Sequence, residues 1–297
     1  MAKDMKSIGM IGLGFIGIAL SERLMEAGFE VIGFDIDAAK VARFAALGGR
    51  PASSVVEVGL ASAEIVLTVF NTAQVIDVIE GPGGLVEGAA GAELTVICVT
   101  TCEPDPIATL ARRAGNLGIA VIEFPIAGHS GQVRAGAGTG LIAGDPKAVA
   151  RVDAVMHALC PRRFEIGKPG DAARAKLAIN LVSQLNRSAL AEGIVFATRL
   201  GLDPSAFLKV VSASPAHSDV MEAKGEKMVQ SDYAPQSRIA QTLKDAQLIL
   251  EEAHRVGQPL PLMEINTALL AAAIELGGPE RDPSAVIEAL RQPTLRS

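Results

Sequence analysis

Three glycines set the first chemical constraint. Gly12, Gly14 and Gly17 stand in the spacing G-x-G-x-x-G within Gly9-Met10-Ile11-Gly12-Leu13-Gly14-Phe15-Ile16-Gly17, after an apolar run and before an amphipathic one. In a strand-turn-helix context Gly12 permits the tight turn, Gly14 lets the backbone approach a pyrophosphate, and Gly17 lets the helix pack closely on the strand. The backbone of Leu13, Phe15 and Ile16 then faces the phosphates from the helix N-terminus. Further on, Val31-Ile32-Gly33-Phe34 ends in Asp35, an acid placed to accept from the adenosine ribose hydroxyls and to repel a 2′-phosphate. NAD is favoured over NADP on that ground, with Lys40 and Arg43 further along as cations able to meet a phosphate. Asp35 or Asp37 could alternatively cap a helix beginning near Ala38. Lys176 and Asn180 lie four apart in a helical stretch, so their side chains leave one face and can converge on one oxygen atom.

Other chemistries are disfavoured. Cys98, Cys102 and Cys160 have neither metal-ligand nor disulfide-framework spacing and read as reduced thiols of a cytosolic protein. His157, His217 and His254 lack acidic or thiol partners at ligand spacing, so no metal is expected. Lys plus Arg number 27 against 33 Asp plus Glu, a net charge of −6 without any basic block, which argues against a nucleic-acid partner. The hydrophobic content is 49%, yet no apolar stretch reaches the roughly 18 uninterrupted residues of a spanning helix. Leu181 to Leu200 is broken by Arg187, Glu192 and Arg199, read as marks of a helix in water. No cleavable signal is visible after Lys3 and Lys6, and a cytoplasmic location is expected.

The elements that must position these residues follow from periodicity. Short β-rich runs at 8–13, 30–34, 65–70, 94–99, 120–124, 140–143 and 163–166 alternate with amphipathic stretches, the pattern of a parallel sheet covered by helices. After Gly170 the β signal fades and four or five helical patterns follow. The expected fold is α/β, a Rossmann-type N-terminal domain (1–168) followed by an all-α C-terminal domain (169–297), joined by a long interdomain helix at 172–200. Gly167-Lys168-Pro169-Gly170 marks the boundary, with Asp171 near the helix start.

With these residues in place, the chain resembles the β-hydroxyacid dehydrogenase family, which includes 3-hydroxyisobutyrate, L-threonate and tartronate-semialdehyde dehydrogenases or reductases. Gly12 to Gly17 with Ala19 is similar to the family's G-L-G-x-M-G-x-x-M-A start. Thr100-Thr101-Cys102-Glu103-Pro104 resembles its S-T-x-x-P turn, which implies that Thr101 touches cofactor or substrate. Glu123-Phe124-Pro125-Ile126-Ala127-Gly128-His129-Ser130-Gly131 is similar to D-A-P-V-S-G-G, the loop that holds the substrate carboxylate. Here Ala127 stands in place of the serine and His129 in place of the second glycine. His129 or Ser130 could supply the missing hydrogen bond, and His129 could equally be a plain loop residue. Gly170 to Lys176 with Asn180 resembles G-x-G-x-x-x-K-x-x-x-N with Ala172 for the second glycine, which implies a catalytic Lys176. Leu243-Lys244-Asp245 is similar to the K-D-L-x-L-A signature, whose lysine reaches nicotinamide and substrate.

The resemblance implies an NAD-dependent enzyme moving a hydride between nicotinamide and the hydroxyl-bearing carbon of a small β-hydroxyacid. Lys176 is the general acid and base, and Asn180 orients. Substrate would be held by Thr101, Ala127, Gly128, His129, Ser130, Lys176, Asn180 and Lys244, and cofactor by the glycine loop, Asp35, Thr101 and Lys244. It also implies a homodimer or homotetramer. A non-catalytic NAD(P)-binding interaction module and a same-fold reductase of another carbonyl or imine are the competing readings.

Overall fold

The computed structural model describes residues 6–89, 91 and 93–292. The outer ends of the two expected domains, residues 1–5 and 293–297, lie outside the described residues. The chain forms two compact units, one ending at Lys176 and one beginning at Leu177.

Among the described residues the first unit is built on a sheet of nine strands: β1 (Ser7–Ile11), β2 (Glu30–Phe34), β3 (Arg50–Pro51), β4 (Glu64–Leu67), β5 (Leu94–Cys98), β6 (Ile119–Glu123), β7 (Ile126–Ala127), β8 (Thr139–Ala143) and β9 (Arg163–Gly167). Their order is β3-β2-β1-β4-β5-β6-β8-β7, with β9 beside β8. Pairing is parallel from β3 through β6, and β8 runs antiparallel to β6 and β7. Every residue of β4 and β5 is buried, because helices cover both faces. Alternation divides them: Val66 and Ile97 join Ile18, Leu20 and Leu24 in one core, while Ile65, Leu67 and Val96 join Val58, Val75 and Ile107 in the other.

All seven expected strands form, with ends displaced by a few residues. The strand expected at 65–70 stops at Leu67, since Thr68 turns its hydroxyl to the Gly12 carbonyl at 2.6 Å and Asn71 caps the next helix. The two-residue strands β3 and β7 are too short to carry any periodicity. The strand order reverses between β1 and β4, so the loops leaving their C-terminal ends open a crevice.

The long helix expected at 172–200 spans Asp171–Arg199. Beyond it, the second unit comprises helices Pro204–Ser212, Asp219–Gln230, Ile239–Arg255, Pro261–Gly277 and Val286–Arg291, with a 3-10 turn at Pro283–Ala285. Leu190, Ile194, Met228, Ile239, Ala246, Met263 and Leu270 fill its core. A polar row also runs along the long helix: Gln184 meets Asn266, and Ser188 donates to Asn266 at 2.6 Å. Arg187 belongs to this row and is 7% exposed. Burial lowers its guanidinium to about 10, against the opposing pull of Asp282 and Asp245, the acids that make a charge there tolerable. Among the described residues no helix is long and apolar enough to cross a membrane, and no group of three His, Cys, Asp or Glu could hold a metal ion.

Candidate active site

The three motif glycines answer to different constraints. Gly12 has φ +92°, and a Cβ there would lie 2.5 Å from the Thr68 carbonyl oxygen; a Cβ on Gly17 would lie 2.0 Å from the Gly12 carbonyl oxygen. Both are required by the fold itself. Gly14 has ordinary extended backbone, φ −70° and ψ −167°, and a Cβ there would meet no protein atom within 4 Å. The fold therefore has no need of glycine at 14, and the open space against helix Phe15–Glu26 is what a pyrophosphate requires. Gly14→Ala is expected to leave stability within about 0.5 kcal/mol of wild type while weakening dinucleotide binding. Gly17→Ala should cost about 1–3 kcal/mol by overpacking. Urea unfolding beside a fluorescence titration with reduced dinucleotide separates the two, and unchanged binding by Gly14→Ala would remove the basis for the cradle.

Asp35 ties β2 to this loop. Its Oδ2 accepts from the Leu13 amide at 2.7 Å and its Oδ1 from the Asp37 amide at 2.9 Å. The helix cap is Asp37, which accepts from Ala39 at 3.0 Å, so the capping alternative for Asp35 falls away. Lys40 Nζ lies 3.3 Å from Asp35 Oδ1.

Two more loops leave the same edge of the sheet. After β5, Thr100 donates its hydroxyl to the Val69 carbonyl at 3.0 Å, and half-buried Thr101 follows before helix Pro104–Gly115. After β6 come β7, Gly128 with φ +144°, and His129. His129 caps helix Ser130–Arg134 reciprocally: the Gln132 amide donates to Nδ1 at 3.4 Å, and the His129 amide donates to Gln132 Oε1 at 3.1 Å. A neutral ring that accepts at Nδ1 carries its proton on Nε2 and so is a donor there. Ala127 and Ser130 are half-buried on either side.

Lys176 is 7% exposed, and its Nζ donates to the Ile126 carbonyl at 2.8 Å. Glu123, at the end of β6, accepts from the backbone amides of Gly170 and Ala173 at the start of the same helix. Burial pushes its carboxyl up to about 7, against the two amides that favour the charged form. Stability present at acid pH is therefore lost as pH rises from about 4.5 to about 7, because the folded state holds the proton longer than the unfolded chain. Glu123→Gln does not titrate, so the stability difference should move toward the variant by ~3 kcal/mol across that window. Urea midpoints at both ends measure it, and a constant difference would contradict the raised value. Glu123 stands within the substrate-loop motif, and its sequence context alone assigns it no role.

In the second unit Asn180 Nδ2 donates to Asp245 Oδ2 at 2.9 Å, and Lys244 Nζ lies 2.8 Å from Asp245 Oδ1. Asp245, buried to 8% exposure, thus joins two residues singled out from sequence and is a third that sequence left without a role.

A parallel sheet with its glycine loop at the strand-order reversal and an acid closing β2 defines an NAD(P)-binding oxidoreductase domain, here followed by a helical unit. Over residues 7–167 the chain matches the family model described as the NAD binding domain of 6-phosphogluconate dehydrogenase. Over residues 170–290 it matches the model described as NAD-binding of NADP-dependent 3-hydroxyisobutyrate dehydrogenase. The chain belongs to the β-hydroxyacid dehydrogenase family. It is similar to L-threonate dehydrogenase of Cupriavidus necator, 29% identical over 95% of each chain. It is equally similar to 2-(hydroxymethyl)glutarate dehydrogenase of Eubacterium barkeri, 29% identical over 99% of this chain and 97% of that one. The crystal structure of 3-hydroxyisobutyrate dehydrogenase from Salmonella typhimurium superposes with a TM-score of 0.87 at 25% identity, covering 95% of this chain and 99% of that one.

Proposed function

We propose that this protein interconverts a small hydroxyacid and its semialdehyde or ketone with NAD, Lys176 handling the hydroxyl proton. The observation that carries this reading is the buried lysine amine, tethered to the Ile126 carbonyl of β7, just past the end of β6 at the sheet edge shared with the glycine loop. Nicotinamide, when bound, accepts a hydride from the hydroxyl-bearing carbon or returns it.

As the alcohol becomes a carbonyl, the Lys176 amine takes the hydroxyl proton; in reverse the ammonium gives it back and stabilises negative charge on the oxygen. The Ile126 carbonyl fixes the direction of the amine. The Thr101 hydroxyl and the amides of Gly128 to Ser130 hold the carboxylate, and the His129 Nε2 donor replaces the hydroxyl absent at Ala127. Asn180 and Lys244, both bound to Asp245, are the neutral donor and the second cation of this reading. Asp35 favours NAD over NADP, since its carboxylate suits ribose hydroxyls. The division of labour follows residues 1–168 for cofactor and 169–297 for substrate and assembly.

A homodimer or homotetramer in the cytoplasm completes the proposal. It is supported by the exposed apolar side chains of Val182, Phe196, Val210, Leu262 and Ile265 in the helical unit, and by three buried free cysteines. The functional test is the absorbance of reduced nicotinamide during incubation with NAD or NADP and a panel of 2- and 3-hydroxyacids. Turnover of a 3-hydroxyacid preferring NAD is expected; dinucleotide binding without turnover of any acid would count against the reading.

A further inference from the structure

Glu123 is a buried carboxyl with no part in the chemistry above, 3% exposed at the end of β6. Its two oxygens serve one object. Oε1 accepts from the Gly170 amide and Oε2 from the Ala173 amide at 2.8 Å, the amides that open the helix carrying Lys176. Three residues beyond Glu123, the Ile126 carbonyl receives the lysine amine at 2.8 Å. One short segment thus holds the helix twice, at its first turn by the backbone and one turn later by the tip of Lys176. The entry to the helix has no slack: Gly170 has φ +96°, and a Cβ there would sit 3.0 Å from the Pro104 carbonyl oxygen.

We propose that Glu123 is a positioning residue for Lys176: its ionised carboxylate, by gripping the two amides at the helix start, fixes the place of the lysine amine relative to the Ile126 carbonyl. The proposal rests on the reading of Lys176 as the proton-transferring group. A carboxylate accepts both N–H groups through charged oxygens, whereas a protonated carboxyl presents one carbonyl oxygen and one O–H, so one amide loses its strong acceptor. The groups facing Glu123 set where this occurs. Burial and, less strongly, Asp171 raise its carboxyl, the two amides and Arg174, itself paired with Asp105 and Asp171, lower it, and the balance stands at about 7. On the β5 side stands Cys98, whose thiol is pushed well up by Cys102, by burial and in part by Glu123. The grip is therefore complete above neutrality and relaxes below it, which gives the turnover rate an acidic limb near pH 7.

The test compares wild type, Glu123→Gln and Glu123→Asp by kcat and KM across pH, each also in a Lys176→Ala background, with dinucleotide affinity and urea unfolding as controls. A displacement of about 1 Å at the reacting group can cost ~10²-fold, so Glu123→Gln should lose kcat on that order with KM and dinucleotide affinity little changed and the limb near pH 7 absent. Glu123→Asp, keeping the charge, should recover most of the rate and retain a limb. In the Lys176→Ala background Glu123→Gln should add no further loss, since it acts through the lysine.

Wild-type kcat with an unaltered limb in Glu123→Gln would overturn the proposal, as would an equal loss in the background lacking the lysine. If Glu123→Gln fails to fold, the limb and its displacement in Glu123→Asp decide, and a profile flat near pH 7 in both remaining proteins overturns the proposal. A fully active Lys176→Ala would instead sink the reading of the lysine, and this proposal with it.

Discussion

Lys176→Ala is expected to lower kcat by about 10²–10⁴-fold, the range that a positioned acid or base contributes. Two features separate this from general damage. The substitution places the best helix former in the interior of a 29-residue helix, so local propensity does not suffer. The fold loses the hydrogen bond to the Ile126 carbonyl, about 1–3 kcal/mol if that oxygen stays buried without a donor. The glycine loop and Asp35 are untouched, so dinucleotide affinity should persist. Lys176→Arg should not restore the rate, because a guanidinium stays protonated at every working pH and cannot accept the hydroxyl proton. Stopped-flow turnover beside a binding titration checks both, and a rate within threefold of wild type, about 0.65 kcal/mol of barrier, would remove the lysine from the mechanism.

The largest expected effect on stability lies elsewhere in the chain. Asp282 is fully buried and accepts from Lys224 Nζ at 2.8 Å, from the Ser284 amide at 3.0 Å and from the Gln236 amide at 3.1 Å. Burial pushes its carboxyl up, but Lys224 and the two amides outweigh that and hold it below its ordinary value. Asp282→Ala leaves the buried Lys224 and Arg187 cations without this countercharge, a change of the kind that costs ~3–5 kcal/mol. The stabilising contribution of Asp282 is present above about 3.8 and is lost as pH falls through the depressed folded value. Urea midpoints near neutrality should therefore fall sharply in Asp282→Ala, and its difference from wild type should shrink in acid. A variant within about 0.5 kcal/mol of wild type would show that the charges are solvated.

Much of this was legible because the signals are local. G-x-G-x-x-G sits within six residues, Asp35 closes the next strand, and Lys176 stands six residues after Gly170 within a single motif. The cap of His129 was equally local: Gln132 three residues later is the reciprocal partner of a capping box. Other features depend on distant partners. Glu123 is one letter at the start of a loop until Gly170 and Ala173 are folded onto it. The burial of Arg187 is hidden in sequence because the acids that permit it, Asp245 and Asp282, stand about 60 and 95 residues further along the chain. Asp245 likewise gains meaning only when Asn180 and Lys244 meet on its two oxygens.

The measurement that bears most directly on the proposed reaction is isotope transfer. A hydroxyacid that turns over is prepared with deuterium on its hydroxyl-bearing carbon, incubated with NAD and the purified protein, and the reduced nicotinamide is examined by mass spectrometry. Direct hydride transfer assisted by Lys176 places the deuterium on the nicotinamide with wild type, and does so about 10²-fold or more slowly with Lys176→Ala. Deuterium appearing in water instead, or the same labelled product at an undiminished rate from Lys176→Ala, would contradict the account.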